Sequence, residues 1–234
     1  MDKPVDAALQ ERALKVIPNG MYGHESIRIL PDGYPQFFSK AEGAYIWDVD
    51  GNRYLDFMCA YGPSLLGYRD ARVDAAAAKQ AALGDALTGP APVMVELAET
   101  LVSMVDHADW AMFCKNGTDA TSMALMAARA QTGRRIVLIS EGAYHGAAAW
   151  CTPVPAGVVA EDRAWQRTYV YNDVASLEAA VAAAGDERYL VCATGAAGVV
   201  LCANRSSYVF CKKWLFLCTS FYAFLEAVVT DRIG

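Results

Sequence analysis

Two short segments in the middle of the chain carry residue types that suit a phosphorylated aromatic ligand. Asn116-Gly117-Thr118 stands where an apolar run gives way to a helical pattern, and Tyr144-His145-Gly146 follows the next apolar run. The first N–H groups of a helix lack partners within it and lie at the positive end of its dipole, so they bind phosphate. Gly117 lets a phosphate approach the backbone, and we expect Thr118 to offer a hydroxyl donor and to cap the helix.

The aromatic segment would serve a flat ring. Tyr144 can stack on such a ring, and Gly146 leaves room beside it. Both segments follow predicted strands, and ligands of open α/β sheets bind at the carboxyl edge of the strands. Taken singly, the first segment also fits an ordinary capped turn and the second a polar loop. Their combination favours a ligand with both a phosphate and a ring.

Short apolar runs alternating with helical patterns predict an α/β fold with a mostly parallel sheet and flanking helices. Strand, helix and strand at this spacing form a βαβ unit, and a further strand, helix and strand follow. The expected strands are 110–114, 136–140, 168–172 and 189–193, and the expected helices are Asp119 to Gln131, ended by Gly133, and Ala175 to Ala184.

The N-terminal part has a different pattern. An amphipathic helix is expected over residues 4–18, followed by a Gly/Pro-rich stretch. Two short alternating segments flank Asp50-Gly51, which predicts a β-hairpin. Helices are expected over residues 71–84 and from about Val93 to Val105. We therefore expect an N-terminal segment at 1–105, the first part of an α/β domain at 106–190, and a divergent tail at 191–234.

Composition narrows the class of protein. The chain has 234 residues and a net charge of -6, which disfavours nucleic acid or an anionic membrane as a partner. Its seven cysteines form no CxxC pair and have no histidine at ligand spacing, so we expect buried thiols and no metal site. The N-terminus has no apolar core of a secretory signal, and we expect a cytoplasmic protein.

The tail at 191–234 is apolar and holds four of the seven cysteines. Its most apolar stretch, 214–229, is interrupted by Thr219, Ser220 and Glu226. A membrane span needs about 20 consecutive apolar residues. We therefore expect a buried or poorly folded helix in this stretch, and no membrane partner.

The stretch from Phe113 to Gly146 resembles the cofactor segment of class III aminotransferases, which are fold type I pyridoxal-phosphate enzymes. It is most similar to the glutamate-1-semialdehyde aminomutase branch. GAYIWDVDGNRYLDF resembles the N-terminal hairpin of that family, and CAYGPSLLGY resembles the loop before its first large helix. The resemblance covers residues of about 10 to 189, which implies the N-terminal part of a fold type I transferase, incomplete as a chain.

This resemblance implies roles for individual residues. Asn116, Gly117 and Thr118 would hold the phosphate of pyridoxal 5'-phosphate, and Tyr144 would stack on its pyridine ring with His145 beside it. Arg28 stands where the branch has an arginine for a substrate carboxylate, a geometry that an arginine fork suits. Tyr61 occupies a position where the branch often has Trp, and Lys115 one where the family usually has a small residue.

The family's catalytic lysine and the acid that pairs with the pyridine nitrogen have no counterpart in a matching context. The lysines are Lys3, Lys15, Lys40, Lys79, Lys115, Lys212 and Lys213. We therefore interpret the chain as a fragment of an aminotransferase, or as an altered product with a divergent tail.

The resulting hypothesis is a pyridoxal-phosphate-dependent aminotransferase or aminomutase that acts on a small carboxylate-bearing amino compound and forms a homodimer. One alternative is a non-catalytic remnant that binds the cofactor or dimerises. A second is another phosphate-ligand α/β protein, although the chain contains neither GxxxxGK[ST] nor GxGxxG.

Overall fold

A computed structural model describes residues 3–26, 28–84, 87–105 and 108–184, and the strand segments 189–194, 198–204, 207–209 and 215–218. The chain divides into two compact units, Met1–Asp85 and Ala86–Arg232. The boundaries that we predicted at 105 and 190 stay a prediction; in this division the helix that ends near residue 105 belongs to the second unit. Within the described residues, no helix combines the length and apolarity needed to cross a membrane.

The first unit contains helix α1, a three-stranded antiparallel sheet and helix α2. The sheet has the order β1-β2-β3, and the predicted hairpin at Asp50-Gly51 joins β2 to β3, with Gly51 at φ +85°. The elements are α1 (Pro4–Val16), β1 (Phe38–Glu42), β2 (Tyr45–Asp48), β3 (Arg53–Leu55) and α2 (Ala71–Ala81).

The hairpin turn caps α1 across the sequence. The carboxylate of Asp50 accepts the backbone N–H groups of Val5 and Asp6 at 2.9 and 3.0 Å. The buried carboxylate of Asp6 in turn accepts the N–H groups of Gln36 and Phe37 just before β1. An acid at a helix N-terminus satisfies its unpaired donors and complements its dipole. These two carboxylates therefore fix α1 to the sheet.

Among the described residues, the second unit contains three α-helices and seven strands. The helices are α3 (Pro92–Met104), α4 (Gly117–Thr132) and α5 (Val174–Ala183). The strands are β4 (Ala111–Cys114), β5 (Ile136–Ser140), β6 (Gln166–Tyr169), β7 (Tyr189–Thr194), β8 (Gly198–Asn204), β9 (Ser207–Val209) and β10 (Leu215–Cys218). The expected helices and strands up to residue 193 are confirmed, with ends that shift by a few residues.

The larger sheet has the strand order β6-β5-β7-β8-β9. β5 is parallel to β6 and β7, whereas β8 is antiparallel to its neighbours β7 and β9. β4 pairs in parallel with β10 instead of β5. The β4-α4-β5 segment is therefore not a βαβ unit of adjacent strands, because the neighbour of β4 comes from far along the chain.

β10 also corrects the expectation for the tail. Residues 215–218 were included in the predicted helix of 214–229, but their backbone pairs with β4 from Leu215–Ala111 to Cys218–Cys114. A short apolar run does not distinguish a buried helix from a buried strand by periodicity alone. The rest of that predicted helix lies outside the described residues.

β5 forms the centre of the core of the second unit. Val137 packs with Leu125 and Ala128 of α4, whereas Ile136 and Leu138 pack with α5 and its C-terminal end. Alternate side chains of a strand point to opposite faces, and both faces of β5 are covered by helices. This explains the continuous apolar run IVLIS and confirms a strand covered on both sides.

Candidate functional site

The start of α4 is organised by Asn116. Its side-chain oxygen accepts the backbone N–H of Asp119 at 2.9 Å, and its amide donates to the Asp119 carboxylate at 2.9 Å. Asn116 therefore caps the helix, and our expectation that Thr118 caps it is wrong, since Thr118 is already the second helical residue. Asparagine is among the strongest N-cap residues because its oxygen reaches the third N–H of the helix.

This cap leaves the first two N–H groups of α4 available. Asp119 N–H is used by Asn116 Oδ1, and Ala120 N–H by the Asn116 carbonyl at 3.1 Å. Within the described part of the chain, the N–H groups of Gly117 and Thr118 have no acceptor. They lie at the positive end of a 16-residue helix, where an anionic oxygen would satisfy both.

The hydroxyl of Thr118 holds the loop after β5 instead of capping the helix. Its Oγ1 accepts the backbone N–H of Ala147 at 3.0 Å. Gly146 lies directly against Thr118 with φ +120°, a backbone conformation that side chains with a Cβ rarely adopt. The predicted phosphate-binding turn and the predicted aromatic segment are therefore in contact, as the sequence pattern indicated.

A second threonine strengthens the same contact. Thr121 Oγ1 lies 2.7 Å from the carbonyl oxygen of His145 and donates to it. Thr121 follows Thr118 by three residues, so both lie on one face of α4. Thr121 is not among the site residues predicted from the sequence. The spacing of two threonines on the helix face next to the predicted ligand turn was the signal available for it.

The ring of His145 faces the protein interior. Only 3% of the residue is exposed, and its ring stacks on that of Trp150 with a centroid distance of 6.2 Å. Trp150 Nε1 donates to Ser122 Oγ at 3.0 Å, and Ser122 lies on α4, so the stacked pair is anchored to this helix. Burial lowers the pKa of His145, so its ring is neutral at neutral pH. The structure thus places His145 as a support of the loop.

Tyr144 has the opposite environment. The residue is 68% exposed, and no hydrogen bond or ring contact of its side chain occurs among the described residues. Its neighbours His145 and Ala147 are fixed to α4 through their backbone, so the tyrosine ring is presented at the loop surface next to the start of the helix. This is the arrangement that a stacking role requires.

The two predicted substrate residues lie in the first unit. Arg28 is exposed in a turn, and its backbone N–H contacts Ser26 Oγ at 3.4 Å. Tyr61 lines a cavity of about 700 Å³, whose wall also includes Tyr34, Phe38, Lys40, Met58 and Tyr68. Arg28 is not part of that wall. Arg28 and Tyr61 therefore do not share this cavity.

Tyr61 sits in a left-handed turn. Cys59, Ala60 and Tyr61 have φ values of 47°, 49° and 62°, and Gly62 follows at 111°. Such conformations cost about 1–2 kcal/mol for each residue with a Cβ and persist where surrounding contacts impose them. Here Asp56 Oδ1 accepts the N–H groups of Met58 and Cys59 at 2.7 and 3.3 Å.

The same carboxylate closes the loop that carries this turn. Tyr68 donates its hydroxyl to Asp56 Oδ2 at 2.7 Å. Burial and the hydrogen bond to Asp56 raise the pKa of Tyr68 to about 12. The Tyr68 backbone also exchanges two hydrogen bonds with Gly43, at 2.8 and 2.9 Å. Residues 56–68 are thus a loop with a fixed base, and Tyr61 is held at its tip.

No metal centre competes with this interpretation in the part of the chain that the structure describes. There, no group of three or more His, Cys, Asp or Glu side chains is close enough to hold an ion. The start of α4 offers two N–H donors and the Thr118 hydroxyl, while the Asp119 carboxylate in its first turn is bonded to the Asn116 amide. Such donors bind anions, and the candidate site is an anion site with an adjacent ring.

Residues 30–159 match the model of class-III aminotransferases. The fold and the site at α4 thus have a family match that includes both predicted segments, and the chain belongs to the class-III aminotransferases.

Individual relatives agree with this assignment. The chain is 60% identical over 169 residues to an aminopentol aminotransferase of Sphingopyxis macrogoltabida, which is 72% of this chain and 40% of the relative. It is 34% identical over 232 residues to a glutamate-1-semialdehyde 2,1-aminomutase of Polaromonas naphthalenivorans, covering 94% of this chain and 52% of that protein. The second alignment extends beyond Tyr189, where we expected the resemblance to end.

Solved structures show the same fold. The pyridoxal-phosphate internal aldimine form of the FumI protein of Sphingopyxis sp. MTA144 superposes with a TM-score of 0.77 at 51% identity, covering 85% of this chain and 49% of that chain. An omega-transaminase from Sphaerobacter thermophilus gives a TM-score of 0.71 at 29% identity, covering 80% and 46%. The chain spans about half the length of the curated relatives it matches.

Proposed function

We propose that this chain carries the cofactor-binding segment of a pyridoxal-phosphate-dependent aminotransferase or aminomutase. The observation that carries the proposal is the hydrogen bond from Ala147 N–H to Thr118 Oγ1, which joins the anion-binding start of α4 to the loop with the exposed Tyr144. The family match supports this class of activity. Relatives whose structures contain pyridoxal phosphate support the cofactor.

The residues present fit the phosphate. Gly117 and Thr118 offer two N–H donors at the positive end of α4, and Asn116 keeps that end open by turning its side chain toward Asp119. The Thr118 oxygen accepts from Ala147, and its own proton remains able to donate to a phosphate oxygen. Asn116, Gly117 and Thr118 therefore form the proposed phosphate cradle.

The residues present also fit the ring. Tyr144 exposes its side chain on the loop fixed to that cradle, so a ring held by its phosphate at α4 would lie beside it. His145 is buried and neutral, and we propose that it supports the loop from beneath. Pyridoxal phosphate, when bound, supplies an electron sink for the carbon that carries the amino group. The chain's own part is to orient that ring and fix its phosphate.

We propose a small amino compound with a carboxylate as the substrate. Arg28 is exposed and able to bind a carboxylate in a fork geometry, and Tyr61 presents a ring from a rigid loop. The relatives named above carry two different amino substrates in their names, so the compound itself is not part of the proposal.

A cytoplasmic homodimer completes the proposal. Cys59 and Cys151 are free thiols in the described residues, as expected in a reducing compartment. The loop 56–68 exposes apolar side chains, with Phe57 87% and Leu65 78% exposed. Apolar surface of this kind is typical of interfaces, and a second copy would cover it. Light scattering after size exclusion measures the oligomeric state, and a monomer would contradict this part.

The test of the cofactor proposal is a titration of the full chain with pyridoxal phosphate, pyridoxal, inorganic phosphate and ATP, followed by absorbance and fluorescence. We expect pyridoxal phosphate to bind at least tenfold more tightly than pyridoxal, because the cradle holds the phosphate. Thr118→Val should weaken the binding of pyridoxal phosphate, whereas Thr118→Ser should retain it. Thr100→Val is the matched control, because among the described residues the Thr100 hydroxyl bonds only to the Glu96 carbonyl of its own helix.

The alternatives give different results. ATP binding without pyridoxal phosphate binding would contradict the proposal and favour another phosphate-ligand protein. Cofactor binding without amino transfer to a keto acid, and without a lysine joined to the cofactor after borohydride reduction and peptide mapping, would favour the non-catalytic remnant. Amino transfer together with one mapped lysine would establish the enzyme.

A further inference from the structure

We infer that Thr121 is a positioning residue that sets the ring of Tyr144 over the cofactor by holding the backbone of His145. The inference rests on the proposed function. Thr121 does not belong to the cradle itself, because its hydroxyl lies 2.7 Å from the His145 carbonyl oxygen and is committed to it. It would act on the cofactor only through the loop.

Tyr144 does not position its own ring. Its side chain is 68% exposed and has no hydrogen bond or ring contact in the described part of the protein. An exposed ring without contacts samples several rotamers, and its place is set by the backbone that carries it. The contacts of the following residues therefore determine where the ring lies.

Helix α4 holds the backbone of the residues that follow Tyr144. Thr121 binds the carbonyl oxygen of His145, Thr118 binds the N–H of Ala147, and Gly146 between them lies against Thr118. Of these contacts, the one from Thr121 is adjacent to Tyr144, because the His145 carbonyl belongs to the residue directly after it. Loss of this bond would leave that carbonyl with the longer contact from Cys151 Sγ at 3.5 Å, so the tyrosine end of the loop would loosen first.

The single hydroxyl proton of Thr121 has two possible acceptors. Its Oγ1 lies 3.1 Å from the carbonyl of Thr118 as well as 2.7 Å from that of His145, and a hydroxyl has one proton to donate. The shorter distance is at the ordinary length for an O–H···O bond, so the loop is the preferred acceptor. The bond within the helix is the weaker competitor.

A second contact holds the side chain of His145, so that the hydroxyl of Thr121 has to fix only its carbonyl. The buried His145 ring stacks on Trp150, and Trp150 Nε1 donates to Ser122 on the same helix. The side chain of His145 is thus fixed by Trp150 while its carbonyl is fixed by Thr121. With both held, the backbone of His145 is fixed at its Cα and its carbonyl, so the point from which Tyr144 extends is fixed and the range of positions open to its ring is narrowed.

The test is a double-mutant cycle on the full chain with Thr121→Val, Tyr144→Ala and the combination. Thr121→Ser is the conservative variant, and Thr100→Val and Tyr171→Ala are matched controls, since Tyr171 is also exposed and lies on the loop after β6. The readouts are the pyridoxal phosphate dissociation constant, its competition by inorganic phosphate, and the circular dichroism induced in the visible band of the bound cofactor.

We expect Thr121→Val to weaken pyridoxal phosphate about three- to tenfold, as one lost hydrogen bond predicts, and to reduce the induced dichroism. The inhibition constant of inorganic phosphate should not change, because the cradle is intact. Thr121→Ser should restore the pyridoxal phosphate affinity and the induced dichroism. In the Tyr144→Ala background Thr121→Val should have no further effect. Additive effects, or an equal loss of phosphate binding, would overturn the inference while leaving the proposed function in place. Failure of the unsubstituted chain to bind pyridoxal phosphate would overturn both.

Discussion

A Cβ atom at Gly146 would lie 2.6 Å from Oγ1 of Thr118 and 2.8 Å from its Cα. Backbone meets backbone here, so no side-chain rotation relieves the clash. The loop after β5 thus approaches the start of α4 as closely as a residue without a side chain permits. This approach lets the Ala147 N–H reach the threonine hydroxyl at 3.0 Å.

Gly146→Ala should therefore separate the loop from the helix. The clash and the φ of +120° together should cost about 3 kcal/mol or more in the free energy of unfolding. Gly142→Ala is the control, because Gly142 has φ +71° but a Cβ added there would meet no neighbouring atom within 4 Å. This substitution should cost only about 1 kcal/mol. Denaturant unfolding of both variants measures the difference, and equal losses would show that the close approach is not maintained in solution.

Asn116 allows stability and anion binding to be separated. Asn116→Ala should lower the free energy of unfolding by about 1 kcal/mol, because the Asp119 N–H loses its cap. Asn116→Asp keeps a capping oxygen, but it replaces the amide that donates to the Asp119 carboxylate with a second carboxylate, so it should lower stability by a similar amount. Its negative charge, however, should weaken phosphate and pyridoxal phosphate binding at the adjacent N–H groups.

Thermal unfolding and phosphate titration of the two Asn116 variants check this expectation. If Asn116→Asp bound phosphate as tightly as the unsubstituted chain, the anion would not sit at the start of α4. The comparison needs no amino-transfer assay, so it is informative with the full chain as it is.

The cap on α1 gives a prediction for the first unit. Asp50→Ala removes the acceptor of the Val5 and Asp6 N–H groups and should cost about 1–2 kcal/mol. Hydrogen exchange should accelerate at these two amides while amides of α4 are unaffected. Asp32→Ala, in an exposed turn, is the matched control. Unchanged protection of α1 in Asp50→Ala would mean that the helix is held by other contacts.

Asp48 makes the first unit sensitive to acid. This fully buried carboxylate accepts from Asn52 Nδ2, the Tyr54 hydroxyl and the backbone of Asp50 and Asn52. Burial raises its pKa, but the hydrogen bonds from Asn52, Tyr54 and Asp50 outweigh burial and hold the pKa below the usual 3.8. A lowered pKa stabilises the fold above the unfolded value of 3.8, and this stability is lost as the pH falls through the lower folded value.

Unfolding free energies measured from neutral pH down to about pH 3 test this behaviour. Asp48→Asn should be less stable at neutral pH by about 2–3 kcal/mol, since hydrogen bonds to a charged acceptor are lost, and its stability should fall less steeply in acid. Asp32→Asn should keep the original slope. A slope unchanged in Asp48→Asn would assign the acid sensitivity to another carboxylate.

The sequence predicted most of what depends on local pattern. The hairpin at Asp50-Gly51 and the strand 136–140 follow from turn chemistry and apolar runs, and the structure confirms both. The contact between the segments at Gly117 and Gly146 was predicted from the order of strands and is confirmed through Thr118. The hairpin and the strand require only residues that are near one another in the sequence, whereas the contact at Gly146 forms although β4 and β5 belong to different sheets.

The sequence did not predict the contacts that depend on distant partners. Asp50 caps α1 through a bond to Val5, which lies 45 positions earlier in the chain. The pairing of β10 with β4 also joins distant segments, and apolar periodicity does not indicate which strands pair. The cap of α4 was assigned to Thr118 because its hydroxyl suits a cap, whereas the helix begins earlier and Asn116 takes that position. The left-handed turn at 59–61 was not predicted either, since none of its three residues is glycine.

The pairing of β10 with β4 has a consequence for the order in which the chain acquires its structure. Leu215 is opposite Ala111, so roughly a hundred residues must be synthesised after β4 before its observed neighbour exists. Until then the edge of β4, which leads directly into the proposed phosphate cradle, is open to pairing with other strands. Contacts of such long range slow folding and expose edges that chaperones protect. The cradle is thus built on a strand whose partner is synthesised roughly a hundred residues after it.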